Sequence, residues 1–384
     1  MRRTPFFLLT LLAVQLIAEE ANDSTEEVAA NPLAMQRLGW VPGSPTKKER
    51  IAKLESEMDE VFTGVVRGDF GAKAAPARPD IDSYRLYVKG DLLFWKEYIG
   101  GSDYAFTDQD MSSNVKGTNK HLTFDWGWGA RGELGYHFPH DSMDALVRYT
   151  WFQARAANRM TFGPGGAVQP LYTEFEYAQP SLAKAHWKTK LSVLDAEFGK
   201  DFFVNRWLAC KPFFGLKTAW IDQSMTTRYN QFPNSFMSTL VKAKNDFWGI
   251  GPWGGINSTA RFTKWANLFC SFGGSLMVGD FDVVSKVVQG LTVNPIINLK
   301  ENVTRIVPMM QASLGFGWDI YFNRNRNHIA IRTAYEVLYW WRQNQLTHYG
   351  SNIDSSTRVV QPPLGRYAED LGFQGCTLDL LFDF

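Results

Sequence analysis

Charged side chains recur at two-residue spacing inside runs that are otherwise apolar: Lys89 with Asp91, Arg131 with Glu133, and the more widely spaced Arg332 with Glu336. With Arg85, Arg148, Lys211, Lys217, Arg305 and Arg342 they form a set of nine bases and three acids. Gathered around one enclosed surface, such groups set the ion preference of a pore, and nine bases against three acids hint at weak anion preference. Paired with one another, the same groups would instead fill a narrow bore as a polar core. Other chemistry is thinly signalled. "GIGPWG" at 249–254 matches the glycine spacing of a dinucleotide fingerprint, but it needs a strand before it, a helix after it and an acid about 20 residues on. Pro252 and the alternating glycines suit a packed strand instead. His121, His137, His140, His186, His328 and His348 are scattered, and no HExxH or paired-cysteine motif is present. His348 lies near Asp354 and Ser355, the only grouping suggestive of a rim hydrolase. The expectation is no catalytic residue, no metal, no cofactor and no enzyme activity.

The elements that carry the charges are strands. In "LTFDWGWGARGELGYHF" (122–138) Leu122, Phe124, Trp126, Trp128, Ala130, Leu134, Tyr136 and Phe138 alternate with Asp125, Arg131, Glu133 and His137. A period of two is that of a strand, whose successive side chains face opposite ways. The alternation returns through Leu86, Val88, Leu92 and Phe94; Ala145, Val147, Tyr149 and Trp151; Leu268, Cys270, Phe272, Leu276 and Val278; and Leu378, Leu380 and Phe382. In "KTKLSVLDAEFG" it slips near Val193, where a β-bulge is expected. Ten such strands are readable. Their connections alternate between short ("PHDS" at 139, "KDFFVNR" at 200, "STARFTK" at 258, "NRNRNH" at 323) and long (98–121, 155–186, 224–246, 280–303, 343–371). Short turns at one end and long loops at the other are the layout of an outer-membrane barrel.

Bulk properties agree. The 384 residues carry 40 Lys+Arg against 39 Asp+Glu, so no net basicity argues for nucleic acid. Aromatics reach 15%, with 14 Trp, as interfacial girdles require. Residues 1–18, "MRRTPFFLLTLLAVQLIA", have the layout of a cleaved signal peptide, with an apolar run shorter than the roughly 20 residues of a spanning helix. Residues 19–80 form a periplasmic segment with a short helix near 46–62, capped at Thr46 and Glu49, and "GAKAAPARPD" (71–80) reads as a linker to the barrel at 81–384. The three cysteines, Cys210, Cys270 and Cys376, fall on the apolar parity and act as small hydrophobes.

Lipid selects among β folds. In hydrocarbon every backbone N–H and C=O must be paired internally, so a spanning sheet closes on itself. The expected fold is all-β: a transmembrane antiparallel up-and-down β-barrel of about 10–12 strands, the upper figure applying if 155–186 or 280–303 hides further strands, with a short N-terminal helical/periplasmic segment.

"DLLFWK" (91–96), "GSDYAF" (101–106), "LVRYTWF" (146–152) and above all "LDAEFGKDFFVNRWLACKPFFGLKTAWIDQ" (194–223) resemble the major-outer-membrane-protein-like porins of chlamydia-related bacteria and Legionella. The resemblance implies an outer-membrane porin that passes small hydrophilic solutes and ions. It also implies that the terminal Phe384 is read by the outer-membrane assembly machinery. Three cysteines depart from the cysteine-rich, cross-linked members of that group. The expected partners are the lipid bilayer, the assembly machinery, small hydrophilic solutes and further copies of the chain, as monomer or trimer. The alternatives are a non-conducting structural barrel or adhesin presenting its five long loops, and an outer-membrane hydrolase.

Overall fold

The computed structural model describes residues 86–383, apart from 109–116, 139–142, 162–166, 172–179, 206, 231–237, 264, 290–294, 296, 323–326, 350–363 and 367. The signal segment, the helix near 46–62, the linker, Arg85, Asp354, Ser355 and Phe384 lie outside the described residues. Sixteen strands follow in chain order: β1 (Leu86–Ile99), β2 (Asp103–Asp108), β3 (Asn119–His121), β4 (Trp126–His137), β5 (Met143–Thr161), β6 (Ala167–Pro170), β7 (Leu182–Lys200) and β8 (Phe202–Phe203). Then come β9 (Leu208–Asn230), β10 (Ser238–Arg261), β11 (Ala266–Gln289), β12 (Ile297–Phe322), β13 (Asn327–Asn344), β14 (Thr347–Tyr349), β15 (Leu364–Arg366) and β16 (Glu369–Asp383).

Ten of these close into one antiparallel barrel, β1-β4-β5-β7-β9-β10-β11-β12-β13-β16, sealed where β16 returns to β1 with Lys89 opposite Leu381 and Phe94 opposite Cys376. Closure removes every free sheet edge, the condition that hydrocarbon imposes. Parity then sorts the side chains. Trp128, Leu276 and Ile306 face outward at 66%, 59% and 65% exposure, while Trp95 and Phe152 face inward at 0%. All three cysteines are unbonded; Cys270 and Cys376 are exposed and Cys210 partly so, consistent with the outer wall. Two aromatic belts bracket the outward apolar band. One holds Trp126, Trp128, Tyr149, Trp151, Trp220 and Trp248; the other, at the short-turn end, holds Tyr136, Phe138, Trp265 and Trp318. Phe94 stacks on Trp126 at 4.9 Å, and Trp265 lies 4.4 Å from Trp318. Rings of this kind sit at headgroup level.

β9 to β12 run for 23 to 26 residues, far beyond the roughly 9–11 that cross a membrane. Beyond Trp220 the outward positions of β9 become Asp222, Ser224, Thr226 and Arg228, so the sheet continues past the bilayer at the long-loop end. This extension accounts for most of the described parts of 155–186 and 280–303, which prolong neighbouring strands; β6, also within 155–186, joins a separate small sheet, and none of these described residues adds a strand to the barrel. A small sheet, β3-β2-β6, and the pair β14–β15 lie at that end.

Two sequence expectations change. The run at 122–138 is not one strand, because Leu122 and Phe124 leave the outward parity and are buried at 4% and 3%, and β4 begins only at Trp126. Nor is there a bulge at Val193. β7 pairs with β5 and β9 without a register shift, and the slip arises because Leu191 and Val193 point inward into an apolar interior. The irregularity observed in the barrel falls instead in β13, between Trp340 and Asn344.

Candidate functional site: the charged lumen

The inward parity stacks side chains in layers. At the short-turn end, His328 is fully buried between Asp319, with Nε2 3.0 Å from Oδ1, and Asp383, with Nδ1 3.8 Å from Oδ2. His137 lies 3.8 Å from the other oxygen of Asp383 and stacks on Tyr87, whose hydroxyl donates to Asp144 at 3.4 Å. Lys211 also pairs with Asp144. Apart from Asp319, these groups line a cavity of about 260 Å³ together with Lys89, Arg131, Glu133, Arg148 and Glu336.

Adjacent strands supply the next layer because the register sets their charges side by side: Asp91 opposite Arg131, Glu133 opposite Arg148, Asp195 opposite Lys217. Arg131 donates to Glu336 at 2.9 Å, to Asp91 at 3.3 Å and to Thr150 at 3.1 Å. Arg148 donates to Glu133 and Glu197, both at 2.7 Å. Lys217 meets Asp195 at 2.7 Å and lies over the Trp253 ring at 4.0 Å, and the Trp253 indole donates to Glu197 at 2.9 Å. Lys89 spans Asp91 at 3.4 Å and Asp379 at 3.1 Å. Removing any one partner from such a buried network strands the others, at a cost of about 3–5 kcal/mol.

Toward the long-loop end, an apolar layer crosses the bore. Trp95, Phe152 and Phe373 meet at centroid distances of 5.4, 5.5 and 6.4 Å. β4 makes room for them with glycine: a Cβ at Gly127 would come 2.9 Å from the Phe152 ring, and one at Gly129 2.8 Å from it. Beyond this lie buried polar groups, with Asn245 donating to Gln223 at 2.8 Å and Thr189 to Glu97 at 2.7 Å.

Of the twelve charged candidates, Lys89, Asp91, Arg131, Glu133, Arg148, Lys217 and Glu336 meet in the ion-pair layer. Lys211 and Arg332 line the cavity at its short-turn side. Arg305 keeps the inward parity but stands six residues beyond Gln311 on β12, about 20 Å toward the long loops. Arg342 stands apart from the ion-pair layer: it sits in the β13 irregularity at φ +54°, is exposed, and its backbone N–H donates to Asp370 at 2.8 Å. Arg85 lies outside the described residues, as does the side chain of His348.

The carboxylates are what the sequence reading missed. Asp144, Asp195, Glu197, Asp319, Asp379 and Asp383 are all buried within the bore, and with Asp91, Glu97, Glu133 and Glu336 they make ten. Against them stand eight described inward cations, Lys89, Arg131, Arg148, Lys211, Lys217, Arg261, Arg305 and Arg332. A basic excess therefore vanishes from the described lumen. The signal was available: Asp195, Glu197 and Asp379 occupy the parity opposite Leu194, Ala196, Leu378 and Leu380. "GIGPWG" lies within β10, which continues as strand to Arg261, so the helix a nucleotide fingerprint needs does not follow.

A family model for the Legionella pneumophila major outer membrane protein precursor matches residues 82–384. No curated protein gives a significant match. Among solved structures, the chain is similar to the outer membrane protease OmpT from Escherichia coli, at 9% identity and a TM-score of 0.42, covering 79% of this chain and 98% of that one. It is also similar to a Pseudomonas aeruginosa FadL homologue, at 9% identity and a TM-score of 0.25 over 79% and 90% of the two chains. The Ail attachment invasion locus protein of Yersinia pestis matches at 8% identity and a TM-score of 0.21 over 78% and 98%.

Proposed function

The chain belongs to the major outer membrane protein family of Legionella pneumophila, and from that premise we propose that this outer-membrane barrel is a narrow diffusion channel for ions and small hydrophilic solutes. The observation that carries the proposal is the ion-pair layer. Stability alone does not require it, since replacing buried ion pairs by well-packed apolar residues is often neutral or stabilising. Ionisable groups kept inside a membrane protein mark solute paths. Here they run from the cavity at the short-turn end up to the apolar layer. Passage then requires Trp95, Phe152 and Phe373 to swing aside, which makes this layer the constriction. Ten carboxylates against eight described cations favour cations over anions in the lumen, the reverse of what the basic residues alone suggested. Export by way of residues 1–18 and assembly through Phe384 belong to the same reading.

The test is planar-bilayer recording of the refolded full chain. Small discrete openings, with a zero-current potential of cation sign in a KCl gradient, support the proposal. Silence at every voltage overturns it and supports a second reading, a non-conducting structural or adhesive barrel. The feature that favours this second reading is the same apolar layer, whose Trp95, Phe152 and Phe373 are buried to 1% exposure or less.

A further inference from the structure

Just beyond the aromatic belt at the long-loop end, the outer wall carries a group of cations on three consecutive strands, with Ala157, His186 and Thr226 between its members. β5 contributes Arg155 and Arg159, β7 contributes Lys184, Lys188 and Lys190, and β9 contributes Arg228. All six lie on the outward parity; Lys188 is half-buried and the rest are exposed. The register gathers them, with Arg155 opposite Lys188, Arg159 opposite Lys184, and Lys184 opposite Arg228. Directly opposed positions have Cβ atoms about 4.5–5.5 Å apart, where like charges repel unless an anion lies between them. Among the described residues, no carboxylate forms an ion pair with any of the six. Asp222, opposite Lys190, marks the edge of the group.

Height above the membrane narrows the class of anion that would suit these cations. Trp151 and Tyr149 belong to the belt, and Tyr149 is tied to the patch strand by its hydroxyl, which donates to Ser192 at 3.2 Å. Arg155 stands four residues beyond Trp151, about 13 Å along the strand, and Arg159 about 27 Å. The cations therefore form two tiers, Arg155 with Lys188 and Lys190 at headgroup level, and Arg159 with Lys184 and Arg228 above them. An aqueous anion would have no reason to favour this height, whereas a lipid phosphate is held there by its acyl chains.

We propose that this face of β5, β7 and β9 docks a phosphorylated glycolipid of the outer leaflet, its phosphates held by Arg155, Lys188 and Lys190 and its chains laid against Val147, Tyr149, Trp151 and Leu194. The inference rests on the outer-membrane placement of the barrel and not on conduction through it. Lysine and arginine near an anionic membrane surface contribute additively and are screened by salt.

The experiment titrates bisphosphorylated lipid A, its dephosphorylated form and inorganic phosphate into the full chain in nonionic detergent. The wild type is expected to bind the bisphosphorylated lipid at least about tenfold more tightly than the dephosphorylated one, with affinity falling as salt rises. The combined variant Arg155→Ala, Lys188→Ala and Lys190→Ala should lose that preference while keeping the heat-modifiable gel mobility of a folded barrel. Lys188→Arg, which keeps the charge, should retain it. Equal binding of the two lipids, an unchanged preference in the triple variant, or displacement of the lipid by equimolar inorganic phosphate overturns the proposal.

Discussion

Arg131→Met isolates the ion-pair layer. Arg131 is 9% exposed, and its guanidinium makes three hydrogen bonds, two of them to the carboxylates of Asp91 and Glu336, which are 3% and 2% exposed. Methionine keeps an unbranched apolar stem but is shorter than arginine by most of the guanidinium, so it removes the charge, the donors and the contact over the Trp95 ring. Asp91 retains Lys89, and Glu336 retains the Gln311 amide, so neither carboxylate is wholly stranded. The loss should then fall at the lower end of the range for breaking a buried pair, about 3 kcal/mol, or roughly 100-fold in the folding equilibrium. The assay is reversible urea unfolding from lipid vesicles, followed by tryptophan fluorescence and by gel mobility. Adding Asp91→Asn and Glu336→Gln to Arg131→Met removes the two charges that have lost their guanidinium partner and should recover most of the loss. A single-variant loss below about 1 kcal/mol, the value of an exposed pair, would refute the reasoning. So would a triple variant no more stable than the single one.

Four further outcomes follow from the same interior and wall. Gly129→Ala places a Cβ 2.6 Å from the backbone oxygen of Trp151 and 2.8 Å from the Phe152 ring, so it should destabilise by about 1–3 kcal/mol in the same urea assay. Gly132→Ala meets nothing within 4 Å and should change stability by less than about 0.5 kcal/mol. Leu276→Arg, on the lipid face at 59% exposure, should lose about 2–4 kcal/mol, whereas Leu276→Val should lose far less. Trp95→Ala combined with Phe152→Ala removes most of the apolar layer; single-channel conductance should rise in planar bilayers, although each truncation also costs about 3–5 kcal/mol of stability.

Much of the barrel was legible because lipid imposes a strict period. The ten strands, their up-and-down order, the short turns and the outward cysteines all follow from alternation, which survives even where glycine replaces a large residue. The reading failed where a side chain's environment is set by shape rather than by polarity. Leu191, Val193, Trp95 and Phe152 are apolar yet face inward, so both parities of their strands look greasy and the alternation blurs. Leu122 and Phe124 extend the outward pattern in sequence, but they are buried because β4 has not yet begun. For the charges, parity set Lys89, Arg131 and Glu133 on the inward face, while the irregularity between Trp340 and Asn344 broke the alternation at Arg342. The charge balance of the lumen was miscounted for a simpler reason: carboxylates of the same parity, such as Asp195 and Asp379, went uncounted. No local pattern could have revealed that Arg131 and Glu336, 205 residues apart, share a hydrogen bond. That contact exists only once the sheet has closed.

The most direct test of the lipid-out, polar-in arrangement is a nitroxide scan along β11 in a background lacking Cys210, Cys270 and Cys376. Labels placed singly from 267 to 278 in lipid vesicles are compared for collision with membrane-dissolved oxygen and with a water-soluble nickel chelate. Labels at 268, 270, 272, 276 and 278 should favour oxygen, and labels at 267, 271, 273, 275 and 277 should not, giving a period of two across the strand. Uniform accessibility, or oxygen contact on the parity of Asn267 and Ser275, would contradict a closed barrel whose greasy side meets acyl chains.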